Sequence, residues 1–325
     1  MNLSVSVESW PIRGVFRISR GAKTEAEVVV VSIESGGFRG RGECVPYRRY
    51  GETLESVVAT LEALRPHLAQ GVGRGDLSSL MPAGAARNAI DCALWDLEAK
   101  RAGTSVAALA GLAPPRPVLT AYTLSLDDAG AMADAARAAD KPLLKLKLGG
   151  DGADLDRVAA VHAAVPGARL IVDANEAWAA ADVLPLARAL AGLGVVLIEQ
   201  PLPAGADEAL QGIDCPIPLC ADESCHTAAD LPRLVGLYSH VNVKLDKTGG
   251  LTEALVLADA ARALGLGLMV GCMVGTSLAM APALLLAGRA DFVDLDGPLL
   301  LDRDREPALA FEGAMIQPPS PALWG

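Results

Sequence analysis

Histidine is scarce: the chain has four in 325 residues, at His67, His162, His226 and His240. A histidine-centred nucleophilic triad or a histidine-rich metal site is therefore not the expected chemistry. Basic charge is also short. Lys and Arg number 28 against 39 Asp and Glu, a net charge of −11, which argues against a nucleic-acid partner, since phosphate neutralisation needs clustered cations. The start, MNLSVSVESWPIRG, has no basic stretch followed by an apolar run, so no secretory signal is expected. Polar residues interrupt every apolar run before the roughly 18 residues needed to span a bilayer. Six cysteines (Cys44, Cys92, Cys215, Cys220, Cys225, Cys272) form neither a disulfide framework nor a zinc-ribbon spacing and read as small buried hydrophobes in a reducing compartment. What is plentiful is apolar surface: 51% of residues are hydrophobic and 21% charged, enough to build a large core. The expectation is a soluble, acidic, cytoplasmic protein with no nucleic-acid or membrane partner.

From about residue 119 to 298 one pattern recurs: a short β-rich apolar run, then an Ala/Leu-rich stretch with helical spacing. The runs are LTAYTLSL, PLLKLKLG, ARLIVDAN, VVLIEQPL, IPLCADES, HVNVKLDK, LGLMVGCM and DFVDLDGP, starting at 119, 142, 168, 195, 217, 240, 266 and 291, intervals of 22 to 27 residues. Strands alternating with helices mean parallel βαβ units, and eight at a regular period predict a (β/α)-barrel. An open doubly wound sheet would carry a Gly-rich phosphate turn after its first strand, and none is present. The fold class expected is α/β, a modified (β/α)7β-type TIM barrel over 116–301. Residues 1–115 read as an α+β capping unit, with two antiparallel strands meeting at Gly36-Gly37 and two helical stretches. Residues 302–325 read as a Pro-rich tail that packs back on this unit.

In such barrels the active site lies at the C-terminal strand ends. Lys145 and Lys147, Asp173, Glu199, Asp222, Lys244, and Asp294 and Asp296 all fall there. Side chains two apart on a strand share a face, so Lys145 pairs with Lys147 and Asp294 with Asp296. Burying so many charges without a use costs several kcal/mol each unless every one is paired. Three carboxylates from consecutive strands are what a hard divalent cation requires, with positions left open for a substrate carboxylate. A carboxylate bound there has its α-proton acidified, because the enediolate charge that develops is stabilised. A lysine on each side, with Lys145 as a second cation beside Lys147, supports removal of the proton on one face and return on the other.

Taken together and in order, KLK at 145–147, VDAN at 172–175, IEQPL at 198–202, ADES at 221–224 and NVKLDKTGGLTEA at 242–254 resemble the enolase superfamily, in its muconate-lactonising-enzyme subgroup. DLDG at 294–297, GCMVGTS at 271–277, CVPYRRYGET at 44–53 and PAGAARNAIDCALWDLEAK at 82–100 make the chain similar to the dipeptide epimerases, above all those acting on L-Ala-D/L-Glu. The resemblance implies Asp173, Glu199 and Asp222 as ligands of one Mg²⁺ per subunit, with Mn²⁺ as the alternative. It implies Lys147 and Lys244 as the paired acid/base catalysts and Lys145 as an auxiliary lysine holding the substrate carboxylate. Asp294 and Asp296 match the pair that receives the α-ammonium of a dipeptide, where a succinyl group would be repelled. The implied context is turnover of cell-wall peptides.

The stretch SRGAKTEA (19–26) matches the capping loop over the barrel mouth, where a basic residue meets the distal glutamate carboxylate. Lys23 stands at that position, without the bidentate fork of an arginine, and Arg20 lies just before it. Cys272 is a further substrate-side candidate. Lys247 is expected to face elsewhere, as a structural or exposed residue, Glu223 to orient a lysine or a metal ligand, and Gly249-Gly250 to serve a tight turn. Within the subgroup the alternatives are o-succinylbenzoate synthase, N-succinyl amino-acid racemase or a cycloisomerase. From another class, the alternative is a catalytically silent barrel that acts by binding. The partner expected is a small-molecule dipeptide. Self-association is common among such barrels and stays open.

Overall fold

The computed structural model describes all 325 residues. The chain opens with three antiparallel strands, β1 (Asn2–Ile18), β2 (Gly21–Ser35) and β3 (Phe38–Cys44), in the order β1-β2-β3. Two helices, α1 (Leu54–Ala69) and α2 (Ala85–Ala102), cover one face of this sheet. Val29, Val31 and Ile33 of β2 alternate inward and meet Leu61, Leu64 and Leu68 of α1 and Ile90, Leu94 and Leu97 of α2 in one apolar cluster. Thr53 and Ser56 cap α1 reciprocally, each side chain bonding the other's backbone N–H. Between β3 and α2 the fit leaves no room for a side chain. A Cβ on Gly42 would lie 2.1 Å from the Ala89 carbonyl oxygen, and one on Gly40 2.1 Å from that of Ala93. Gly42→Ala is therefore expected to lower unfolding free energy by about 3 kcal/mol, the upper end for overpacking because the obstacle is backbone. Urea denaturation measures this, and an unchanged midpoint would contradict the packing described.

A two-residue strand, β4 (Val118–Leu119), leads into the barrel. Its eight parallel strands are β5 (Tyr122–Leu124), β6 (Leu143–Lys147), β7 (Arg169–Asp173), β8 (Val195–Glu199), β9 (Leu219–Ala221), β10 (His240–Val243), β11 (Gly267–Gly271) and β12 (Phe292–Asp294), hydrogen-bonded in sequence order. Each falls inside its expected run. β12 closes toward β5 where the Ala121 N–H donates to the Val293 carbonyl and the Thr123 N–H to Asp296. No long helix follows β12, so the barrel is of the (β/α)7β type. Inward positions alternate along each strand. The lower layer is apolar (Ala121, Leu143, Ile171, Leu197, Cys220, Met269), and the next inward positions toward the C-terminal ends carry the charges.

The tail reaches both bodies. β13 (Phe311–Glu312) pairs with β14 (Met315–Ile316), which in turn pairs with β4 beneath the barrel, while Trp324 is fully buried with its indole N–H on the Cys92 carbonyl of α2. α2 also grips the segment after β10. Arg87 donates to the carbonyls of Thr248 and Gly249, Asn88 to Asp246, and Trp95 to Thr252. The two glycines at 249–250 have φ of +78° and +111°, and a Cβ on either would strike Arg87 or Asp91 at 2.3–2.5 Å. Their turn is required by positive φ and by the close approach of α2. No helix is long and apolar enough to cross a membrane.

Candidate active site

Alternation brings the expected charges to one place. Lys145 and Lys147 of β6, Asp173 of β7, Glu199 of β8, Asp222 just past β9, Lys244 just past β10 and the pair Asp294/Asp296 all point inward at the C-terminal end, each under 9% exposed. Lys145, Lys147, Asp222, Lys244, Asp294 and Asp296, with Thr123, Cys272 and Met273, floor a cleft of about 860 Å³, and Asp173 and Glu199 lie buried beneath it. Its other wall is Phe16, Ile18, Lys23, Val45 and Tyr47–Tyr50 of the cap.

Each of the three central carboxylates is held by one oxygen from behind and offers the other inward. Asp173 Oδ1 accepts the Asn175 N–H at 2.9 Å, Glu199 Oε1 the Asn242 amide at 2.8 Å, and Asp222 Oδ1 the Lys247 ammonium at 2.6 Å. The inner oxygens meet lysines. Lys147 and Lys145 lie 2.6 and 3.2 Å from Asp173 Oδ2, Lys145 lies 2.7 Å from Glu199 Oε2, and Lys244 lies 2.6 Å from Asp222 Oδ2. The carboxylates are not closed into a cage. The ammonium groups supply the positive charge between them. Glu199 Oε2 is buried, with charge contact to Lys145 but no hydrogen bond of usable angle. An all-oxygen set with an unsatisfied inward oxygen fits a hard divalent cation. Burial and Asp173 push the Glu199 carboxyl up to about 7. Burial also acts on Asp173, but Lys147 and Lys145 outweigh it and bring that carboxyl to about 2. Asp222, between Lys244 and Lys247, is held well below the usual range against the same burial. Against burial, the surrounding carboxylates keep Lys145 and Lys244 above the ordinary ammonium value. Both are cations in this arrangement.

Across the mouth, Lys145 donates to Asp294 at 2.8 Å, and Asp296 accepts the Thr123 N–H at 2.6 Å. Burial and the neighbouring Asp294 push the Asp296 carboxyl up to about 7. Of the two carboxylates only Asp294 is paired with a lysine, so a second cation arriving there would relieve Asp296.

Three expectations need correction. The stretch 19–26 is the tip of the β1–β2 hairpin, not a loop: Phe16 pairs with Lys23 and Ile18 with Gly21, leaving Ser19 and Arg20 as the turn. Arg20 is not free for a ligand, because its fork binds Glu176, the Asn175 carbonyl, Tyr47 and Glu223 at 2.6–3.1 Å. It ties the cap to the barrel loops. Lys247 is neither exposed nor turned away, since the short helix Leu245–Thr248 brings it back onto Asp222. Lys23 lines the cleft, partly buried, and desolvation lowers its ammonium's pKa against the influence of Cys272 and Glu27. Glu223 meets Arg20 with one oxygen and leaves Oε2 buried without a partner. Asn242 is the contact missed from sequence. It stands two before Lys244 on β10, so the same alternation that placed Lys244 would have found it.

A two-layer site of this kind, a charged barrel floor under a hairpin cap, defines a class of barrel enzymes. The chain matches the profile of enolase C-terminal domain-like proteins over residues 129–321 and that of the mandelate racemase / muconate lactonizing enzyme N-terminal domain over residues 1–111. It belongs to the mandelate racemase / muconate lactonizing enzyme family of the enolase superfamily. It is 50% identical over 312 residues to the L-Ala-D/L-Glu epimerase of Escherichia coli (strain K12), covering 95% of this chain and 97% of that one. It is 47% identical over 302 residues to an N-acetyl-D-glutamate racemase of a Pseudoalteromonas species, covering 92% and 95%. Among solved structures, an enolase family member from Agrobacterium tumefaciens with homology to dipeptide epimerases, holding sodium and L-Ala-L-Glu, superimposes with a TM-score of 0.97 at 50% identity over 99% of each chain. A dipeptide epimerase from Enterococcus faecalis, holding Mg and L-Leu-L-Tyr, gives 0.91 at 29% identity, covering 98% and 97%.

Proposed function

We propose that this enzyme is a divalent-metal-dependent epimerase of L-Ala-D/L-Glu, acting at the α-carbon of the C-terminal residue. The observation that supports it most is the pair Lys147 and Lys244 facing each other across three carboxylates, with a second acidic pair at the far side of the mouth. Asp173, Glu199 and Asp222 are the residues to hold the cation, Mg²⁺ or in its place Mn²⁺. When bound, it supplies the positive charge that stabilises the substrate carboxylate as its α-proton leaves. Lys145 orients that carboxylate. One of Lys147 and Lys244 takes the α-proton as a neutral amine, and the other, as an ammonium, returns a proton to the opposite face, so the configuration inverts without net proton loss. To act as base, a lysine must first leave the carboxylate it now contacts, Asp173 for Lys147 and Asp222 for Lys244. Asp294 and Asp296 receive the α-ammonium of the N-terminal residue, and Lys23 the distal carboxylate of glutamate. The cap and Met273 line the cleft beside these lysines. A cytoplasmic place in peptide turnover fits such a substrate.

The test compares L-Ala-L-Glu with N-acetyl-L-glutamate by polarimetry in the presence of Mg²⁺. Preference for the free ammonium upholds the reading; a reversed preference moves the assignment to the N-acyl racemases. Within it, Lys23→Met is expected to lower kcat/KM for L-Ala-L-Glu roughly 10- to 100-fold, the loss of one hydrogen bond between charged groups. The rate with L-Ala-L-Leu should be left unchanged or raised. Equal losses on both dipeptides would remove Lys23 from specificity.

A further inference from the structure

Lys247 follows Lys244 by three positions, and its side chain is 0% exposed. Lys244 is still extended (φ −119°, ψ 128°). The single helical turn after it, closed at Gly249 with φ +78°, folds Lys247 back behind the strand end. Its Nζ donates to Asp222 Oδ1 at 2.6 Å, to the Asp222 carbonyl at 2.5 Å and to the Asn242 carbonyl at 2.9 Å. An ammonium has three protons to give, and all three are placed, so Lys247 is not available as an acid, a base or a ligand for substrate. Of the three carboxylates at the barrel centre, Asp222 alone is held from behind by a full charge; a backbone N–H holds Asp173 and a neutral amide holds Glu199.

We propose that Lys247 is a positioning residue for the metal site, an inference that rests on reading Asp222 as a ligand. It clamps Asp222 by Oδ1 and by its own carbonyl, so that Oδ2 alone faces the barrel centre. It also limits Lys244 to that one oxygen. Without the clamp, Oδ1 would be a buried charged acceptor with no partner, a costly state. The carboxylate would turn and close on Lys244 with both oxygens. That motion withdraws a ligand from the cation and ties down the proton-transfer lysine together. The clamp is in turn held in place through α2, whose Asn88 fixes Asp246 and whose Arg87 fixes the carbonyls of Thr248 and Gly249 on either side of Lys247.

The sign of the effect separates clamping from charge. Removing a nearby cation by itself tightens divalent-metal binding, whereas loss of an orienting partner weakens it, typically 10- to 100-fold. Mn²⁺ is the probe, its free concentration read by electron paramagnetic resonance without substrate, with circular dichroism verifying the fold. Lys247→Met is expected to weaken Mn²⁺ binding roughly 10- to 100-fold. Lys247→Gln keeps a donor on a shorter arm and should lose less, about 3- to 10-fold, and it decides alone if the Met variant does not fold. Binding equal to or tighter than wild type in either folded variant overturns the clamp and leaves the metal site standing. Failure of the wild-type protein to bind Mn²⁺ overturns the metal site, and the clamp with it.

Discussion

Lys244→Ala is expected to lower the rate of epimerisation roughly 10²–10⁴-fold, the usual worth of a positioned acid/base group, and Lys147→Ala to do the same. The two variants should differ in what they keep. Each retains one lysine, and that lysine still faces one side of the α-carbon. In D₂O, one variant should exchange the α-proton of L-Ala-L-Glu without inverting it, and the other that of L-Ala-D-Glu. A single-base enzyme predicts a different outcome, with one variant dead toward both epimers and the other close to wild type. Exchange by both variants with both epimers would mean that neither lysine is specific to a face.

Asp296→Asn is expected to lower kcat/KM for L-Ala-L-Glu by about 2–4 kcal/mol, roughly 30- to 1,000-fold, because a buried ammonium would lose one member of its ion pair. The loss should fall mostly on KM, since the ammonium lies away from the reacting carbon and binds ground and transition states alike. N-acetyl-L-glutamate has no ammonium, so its rate should hold or improve. There is also a pH signature. Burial and Asp294 push the Asp296 carboxyl up to about 7, so it takes up a proton as the pH falls through that value and loses its attraction for the substrate. For the wild-type enzyme, kcat/KM for the dipeptide should therefore decline below about pH 7. The groups around Asp296 are Asp294, Thr123, Tyr122, Cys272 and, through Asp294, Lys145. In Asp296→Asn the acid limb should shift or disappear. An unshifted limb would assign that titration to another group.

The barrel and its charged floor were legible because parallel strands are short, apolar and strictly alternating. A lysine or carboxylate placed two residues from another on such a run points the same way. That rule pairs Lys145 with Lys147 and Asp294 with Asp296 from the sequence alone, and it reaches Asp173, Glu199 and Asp222 as strand ends. It failed where the chain leaves the strand. Lys247 lies one helical turn past β10, and only the turn geometry reveals that it comes back to Asp222. Arg20 carries no local sign of its partners, because Glu176 and Glu223 are 156 and 203 residues away in sequence. Its arginine fork reads equally as a ligand for substrate or as a tie between cap and barrel until the distances are known. The long first strand is a different case. LSVSVESW alternates plainly, but Pro11 and Gly14 interrupt it, and the register with β2 shifts between Pro11 and Phe16. The tail has no period to read, and its pairing with β4 under the barrel is a long-range contact set by shape.

If the enzyme is a dipeptide epimerase, the α-carbon of the C-terminal residue is the reacting centre. ¹H NMR of the purified protein with Mg²⁺ and L-Ala-L-Glu in D₂O tests this directly. The glutamate α-proton signal should disappear while signals of the L-Ala-D-Glu diastereomer grow in and the alanine α-proton stays untouched, and neither change should occur once Mg²⁺ is removed by chelation. A glutamate α-proton that persists with the metal present, or an alanine α-proton that exchanges instead, would contradict it.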